Sequence, residues 1–161
     1  MVLRKQILEV PHVEPDQAYG ELPISEVATV WVTSEAADHP IDYIFDKHRG
    51  RGGSRWVAQN PDEQMLVLSF DAPQRIRSVV LEIEEQEVSR TQELTLLASF
   101  DGGKAYRELV RQEFNFSPPN TTFEHEQWIV SLEQVTHLRL TIKPDKGRHD
   151  CFAKITSLVL Y

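Results

Sequence analysis

The sequence has a single cysteine, Cys151, among 161 residues. An internal disulfide is therefore excluded, and nothing in the composition demands an oxidising compartment. A long apolar run is missing as well. The opening residues, MVLRKQILEVPHVEPDQAYG, hold no stretch that suits a secretion signal or a membrane span. The expectation is a cytoplasmic protein without membrane association. Positive charge is in deficit: 25 acidic against 17 basic residues leave a net charge of −8. That counts against nucleic acid as a partner, since its binders neutralise phosphates with clustered Lys and Arg. Signatures of metal and phosphate sites are also lacking. The six histidines are dispersed, neither HExxH nor paired CxxC occurs, and RGRGG (49–53) lacks the GK[S/T] ending of a phosphate loop. No repeat, low-complexity segment or linker is present, and helical spacing is scarce; DYIFDKH (42–48) suits one turn.

What is present is alternation. In RSVVLEIEE (77–85), Val79, Leu81 and Ile83 point one way and Glu82 and Glu84 the other, the pattern of a half-buried strand with a solvated outer face. ELTLLASF (93–100) places Leu94, Leu96, Ala98 and Phe100 on one side. THLRLTIKP (136–144) does so with Leu138, Leu140 and Ile142. QMLVLSF (64–70) and KITSLVLY (154–161) are nearly continuous apolar runs, as central strands would be. EVATVWVTS (26–34) and EQWIVSL (126–132) complete the set. Pro and Gly fall between these runs. The pattern predicts an all-β fold, a jelly-roll sandwich of roughly eight core strands. With 40% apolar residues the chain suits one domain with a substantial core. Residues 26–161 form it, and residues 1–25 are an extension or an extra edge strand.

At Asp101-Gly102-Gly103 two strand-like runs meet. Glycine supplies positive φ cheaply, and Asp bonds back to the turn backbone, so the stretch predicts a hairpin over which Tyr106 returns to pack.

That hairpin, SFDGGKAY (99–106), resembles the S-x-D-G-x-x-aromatic element of the discoidin, or coagulation factor 5/8 type C, domains of the galactose-binding-like superfamily. Further landmarks follow in the family's order: VTSEAADHPIDYIFD (32–46), GSRWVA with Trp56, QMLVLSFDAPQRIRSVVLEI (64–83), VTHLRLTIKP (135–144) and ITSLVLY (155–161). The resemblance implies the jelly-roll sandwich and binding at loops gathered at one end. It also implies a structural calcium in sugar-binding relatives, held in part by a glutamate of the closing strand. Ser157 occupies that position here, Met65 stands where tryptophan is frequent, and Ser69 where aspartate is. Losing a carboxylate from an oxygen cage weakens a calcium site, so no cofactor is expected.

The family's first long loop corresponds to residues 38–55 and its last to 143–150. DKHRGRGGSR (46–55) carries Lys47, Arg49, Arg51 and Arg55 against Asp46 alone, and KPDKGRH (143–149) is a second basic stretch. If both lie at one end, Arg49, Arg51, Arg55, Lys146, Arg148 and His149 form a basic ligand-binding patch. The alternative is that these loops are simply charged. Trp56 is either a stacking platform in that site or a core anchor; Trp31 and Trp128 read as packing residues. His149-Asp150-Cys151 lacks the spacing of a nucleophile and its base, and Cys151 reads as structural. No catalytic residue is identified. The expectation is a non-catalytic module binding a carbohydrate, with an acidic glycan favoured by the basic loops. The alternative is an intracellular protein–protein interaction subunit.

Overall fold

The computed structural model describes residues 20–147 and 150–161. Eight strands are assigned there: β1 (Ala28–Val32), β2 (Trp56–Val57), β3 (Gln64–Glu84), β4 (Arg90–Ser99), β5 (Arg107–Phe116), β6 (Phe123–Lys143), β7 (Lys154–Ile155) and β8 (Ser157–Leu160). Two single turns accompany them, an α-helical one at Ile24–Val27 and a 3-10 one at Ile41–Phe45, the latter where one turn is expected.

The architecture follows from β3 and β6, each 21 residues long. The first part of β3 pairs with β1 and with the last part of β6 (Leu66 opposite Leu140); its last part pairs with β8 and the first part of β6 (Val79 opposite Trp128). Both strands thus run through one layer, bend and return through the other. The register shifts between Ser69 and Ser78 mark the bend in β3. In β6 it falls near Ser131 and Gln134, which have positive φ of 48° and 59°. One layer is ordered β1-β3-β6-β4-β5, and the other contains β8, β3 and β6. Alternate residues of the two layers meet in one core: Leu66, Leu94, Leu96, Leu140 and Ile142 from the first, Val79, Leu81, Ile83, Trp128 and Leu160 from the second. The predicted all-β sandwich is the fold observed.

Several local expectations change. QMLVLSF and RSVVLEIEE are one strand rather than two, because the backbone stays extended through Pro73. EQWIVSL and THLRLTIKP join in the same way as β6. KITSLVLY is not a central strand. It splits into β7, paired with β2, and β8, paired with β3, and the Leu22 amide donates to the Leu160 carbonyl at 2.8 Å, covering that edge. Leu22 packs on the core and Ile24 is buried within it, so core residues begin ahead of the expected boundary at 26. Residues 1–19 of the expected extension or edge strand lie outside the described residues. Trp31 is 63% exposed on β1 rather than a packing residue, and Phe100 leaves the core face at the strand's end, 37% exposed. Trp128 is buried as expected, its indole N–H donating to Gln112 Oε1 at 2.8 Å.

The hairpin at 101–103 is present. Asp101 Oδ1 accepts the amides of Lys104 and Ala105 at 3.1 and 3.0 Å, and Gly102 and Gly103 adopt φ of 81° and 86°. The Ala105 amide, with the Ser99 hydroxyl, holds the Asp101 carboxyl below the usual range. Tyr106 lies against the Arg139 guanidinium, 4.2 Å from the ring centre.

Candidate functional site: the loop end of the sandwich

Because β3 and β6 double back, the last turn of β3, the start of β4 and both ends of β6 gather at one end of the molecule. Glu82, Glu84 and Glu85 are buried there. The expected solvated face of this strand is therefore absent. The 46–55 loop folds across it and supplies donors. The Gly50 amide donates to Glu82 Oε1 at 2.9 Å, and the Gly52 amide reaches both oxygens of Glu84 at 3.1 and 3.2 Å. Glycine is required at these two positions, where φ is 81° and 76° and the amides turn inward. Arg55 completes the cage at 3.3 Å from Glu84. His125 Nδ1 lies 3.0 Å from Glu82 Oε2. The amides of RGRGG thus serve the protein's own carboxylates.

The next residue, Glu85, is held by β4 and β7, and the second basic loop is held by the start of β4. Lys154 Nζ and Arg90 Nε both stand 3.0 Å from Glu85, and Arg90 Nη1 donates to the carbonyls of Pro144 and Phe152 at 3.1 and 2.6 Å. Thr91 and the loop exchange two bonds, Thr91 N to Asp145 Oδ1 at 2.7 Å and Lys146 N to Thr91 O at 3.1 Å. Burial pushes the Glu85 carboxyl up, but the Lys154 hydrogen bond and the charges of Arg90 and Lys154 outweigh it and leave it below the ordinary 4.5. The 46–55 loop is thus anchored on Glu82 and Glu84, and the 143–147 loop on the start of β4 through Arg90 and Thr91.

The individual side chains fare differently. Arg49 pairs with Glu21, Arg55 with Glu84, and Lys146 with Glu113. The bond to Glu113 raises the Lys146 ammonium above its usual range. Arg51 is exposed. Its Nη1 donates to Thr122 Oγ1 at 3.0 Å, its guanidinium lies 5.1 Å from the Phe123 ring centre, and it meets no carboxylate among the described residues. Arg148 and His149 lie outside the described residues. Trp56 is 0% exposed, with its indole N–H on the Ser34 carbonyl at 3.0 Å; it is a core anchor and cannot offer a stacking face. Cys151 is buried, its Sγ 3.9 Å from Asp150 Oδ1.

Beside the second loop a cavity of about 340 Å³ opens, lined by Pro61, Asp62 and Glu63 on one side and Lys143–Lys146 on the other; the 46–55 loop does not line it. Its mixture of ammonium and carboxylate groups offers both donors and acceptors to hydroxyls. The 61–63 wall was not anticipated from sequence. The implied calcium finds no fit. Ser157 Oγ is buried without a hydrogen-bond partner, and among the described residues no group of three or more His, Cys, Asp or Glu gathers into a cage, whereas calcium takes roughly six to eight oxygens. No helix among the described residues is long and apolar enough to cross a membrane.

No family model matches the chain, and none of the curated proteins does. Solved structures do. The third CBM32 domain of a family 31 glycoside hydrolase from Clostridium perfringens is similar over 93% of this chain and 99% of its own, at 13% identity and a TM-score of 0.66. The family 32 CBM of C. perfringens NanJ, in complex with galactose, is similar over 87% and 96%, at 16% identity and a TM-score of 0.60. The CBM32 of AlyQ, in complex with 4,5-unsaturated mannuronic acid, is similar over 84% and 95%, at 15% identity and a TM-score of 0.59. At such identities the likeness establishes the fold alone: the chain has the β-sandwich fold of these CBM32 domains.

Proposed function

From a chain with this fold, we propose a non-catalytic carbohydrate-binding module that takes its ligand at the loop end. One observation carries the reading. The 143–147 loop, fixed on β4 by Arg90 at the Pro144 carbonyl and by Thr91 at Asp145, faces residues 61–63 across a cavity whose lining suits hydroxyls. Rigid anchoring of this kind keeps the recognition groups in place before the ligand arrives, which lowers the ordering cost of binding. Sugar complexes among structures of the same fold, with galactose in one case and an unsaturated mannuronic acid in another, support the ligand class. Arg51 is the group assigned to an acidic substituent, since Arg49, Arg55 and Lys146 already hold carboxylates of the protein. The expected cytoplasmic location belongs to this proposal, and cell fractionation checks it.

Calorimetric titration with galactose, N-acetylgalactosamine and galacturonate, with and without calcium, tests the function. Binding of at least one sugar is expected, insensitive to calcium. Arg51→Ala should weaken galacturonate at least fivefold while sparing the neutral sugars. Silence across all three sugars, with the chain folded, removes the proposal.

A further inference from the structure

We infer that the outer face of the β1-β3-β6-β4-β5 layer is a second binding surface, for an extended neutral glycan lying across the strands. The register sets side chains in transverse rows. Trp31, Val67, Arg139, Leu97 and Glu108 stand side by side from β1 to β5; the next row runs Met65, Thr141, Thr95 and Arg111. Five strands span four steps of about 4.8 Å, roughly 19 Å of continuous face. Within it lies a groove of about 350 Å³, in the size range of sites that hold small ligands.

Its chemistry decides among ligands. Three carboxylates (Glu63, Glu93, Glu108) face three cations (Arg111, Arg139, Lys143). A polyanion gains nothing from so balanced a lining. A protein partner would require a larger apolar centre than Met65 and Leu97 supply within the groove. Hydroxyl groups are suited to it, because each is donor and acceptor together and can bridge a guanidinium and a carboxylate. The charged groups are already held in place. Arg111 lies 2.7 Å from Glu108 and 3.6 Å from Glu93, and Lys143 lies 4.0 Å from Glu93. Arg139 is braced on Tyr106, and its Nε has no hydrogen-bond partner. At the β1 side, the exposed indole of Trp31 offers a flat apolar surface for the C–H face of a sugar ring. Glu63 and Lys143 line both this groove and the cavity at the loop end, so the two surfaces adjoin.

The test uses the full chain with cellohexaose, β-1,4-mannohexaose and β-1,4-galactohexaose, and hexagalacturonate as the anionic comparator. Calorimetry measures affinity and iodide quenching reports location, because Trp56 and Trp128 are buried and Trp31 is the quenchable indole. At least one neutral hexaose should bind and protect Trp31 from iodide. Trp31→Ala and Arg139→Ala should each weaken it about tenfold, Trp31→Phe should retain most of the affinity, and Arg51→Ala should leave it unchanged. Thermal melts confirm that the variants fold, and Glu108→Gln replaces any that does not. The inference is overturned if no neutral hexaose binds at millimolar concentration, if Trp31 stays open to iodide in the bound state, or if hexagalacturonate binds this face more tightly. Loss of neutral-hexaose binding with galacturonate binding retained removes this surface alone; the reverse removes the loop-end site.

Discussion

Replacing Glu84 with alanine tests the central electrostatic feature of the loop end. Its side chain is 1% exposed and receives the Gly52 amide at both oxygens and Arg55 at 3.3 Å. Alanine removes the acceptor of a partly buried amide and leaves a guanidinium, itself 25% exposed, without its carboxylate. A hydrogen bond to a charged acceptor contributes about 1.5–3 kcal/mol, and the partly exposed ion pair about 1 kcal/mol more. The expected loss is about 3 kcal/mol. For a domain of this size each kcal/mol moves Tm by roughly 2–4 °C, so the melting point should fall by about 6–12 °C. Glu84→Gln keeps one acceptor oxygen and should lose about half as much. Circular-dichroism melts give the stability, and amide exchange at Gly50 and Gly52 reports whether the loop has been released. Glu87→Ala, at an exposed position of the same acidic run, is the control and should stay within about 0.5 kcal/mol of the parent. If Glu84→Ala melts with that control and the Gly52 amide keeps its protection, the carboxylate does not hold the loop.

Glu85 makes stability pH-dependent in a defined direction. Its folded pKa lies below the ordinary 4.5, so its contribution is complete above that value and fades as pH falls through and below it. Urea midpoints should drop on acidification over that window, and Glu85→Gln should flatten this part of the profile. Trp56→Ala should cost about 3–5 kcal/mol in a denaturant titration, as expected for a fully buried indole. Gly53→Ala would place a Cβ 2.3 Å from the His48 carbonyl oxygen, so the loop must shift; a loss of about 1–3 kcal/mol should appear in the same titration.

The strands were legible because period-two alternation reports directly which residues share a face. Leu94, Leu96, Leu138, Leu140 and Ile142 are all in the core, as their spacing requires. Alternation says nothing about what covers the other face. Glu82 and Glu84 read as solvated because their cover, Gly50 and Gly52, comes from about thirty residues away. Trp31 misled for the opposite reason: a β-branched run looks buried, yet β1 pairs only with β3 among the described strands and turns Trp31 outward. The basic character of the loops was visible. Its neutralisation was not, since Glu21 and Glu113 are distant in sequence from Arg49 and Lys146. Trp56 was left open between platform and anchor because residue type alone does not separate them. Only its enclosure in the core does.

The doubling-back of β3 and β6 has a mechanical consequence. Two covalent crossings join the layers, so neither sheet can slide over the other without extending its own backbone. A pull on a ligand held at the loop end would be shared between both layers instead of peeling one away. The domain should therefore yield under force as a single unit, with the rupture of the β3–β6 pairing setting its strength.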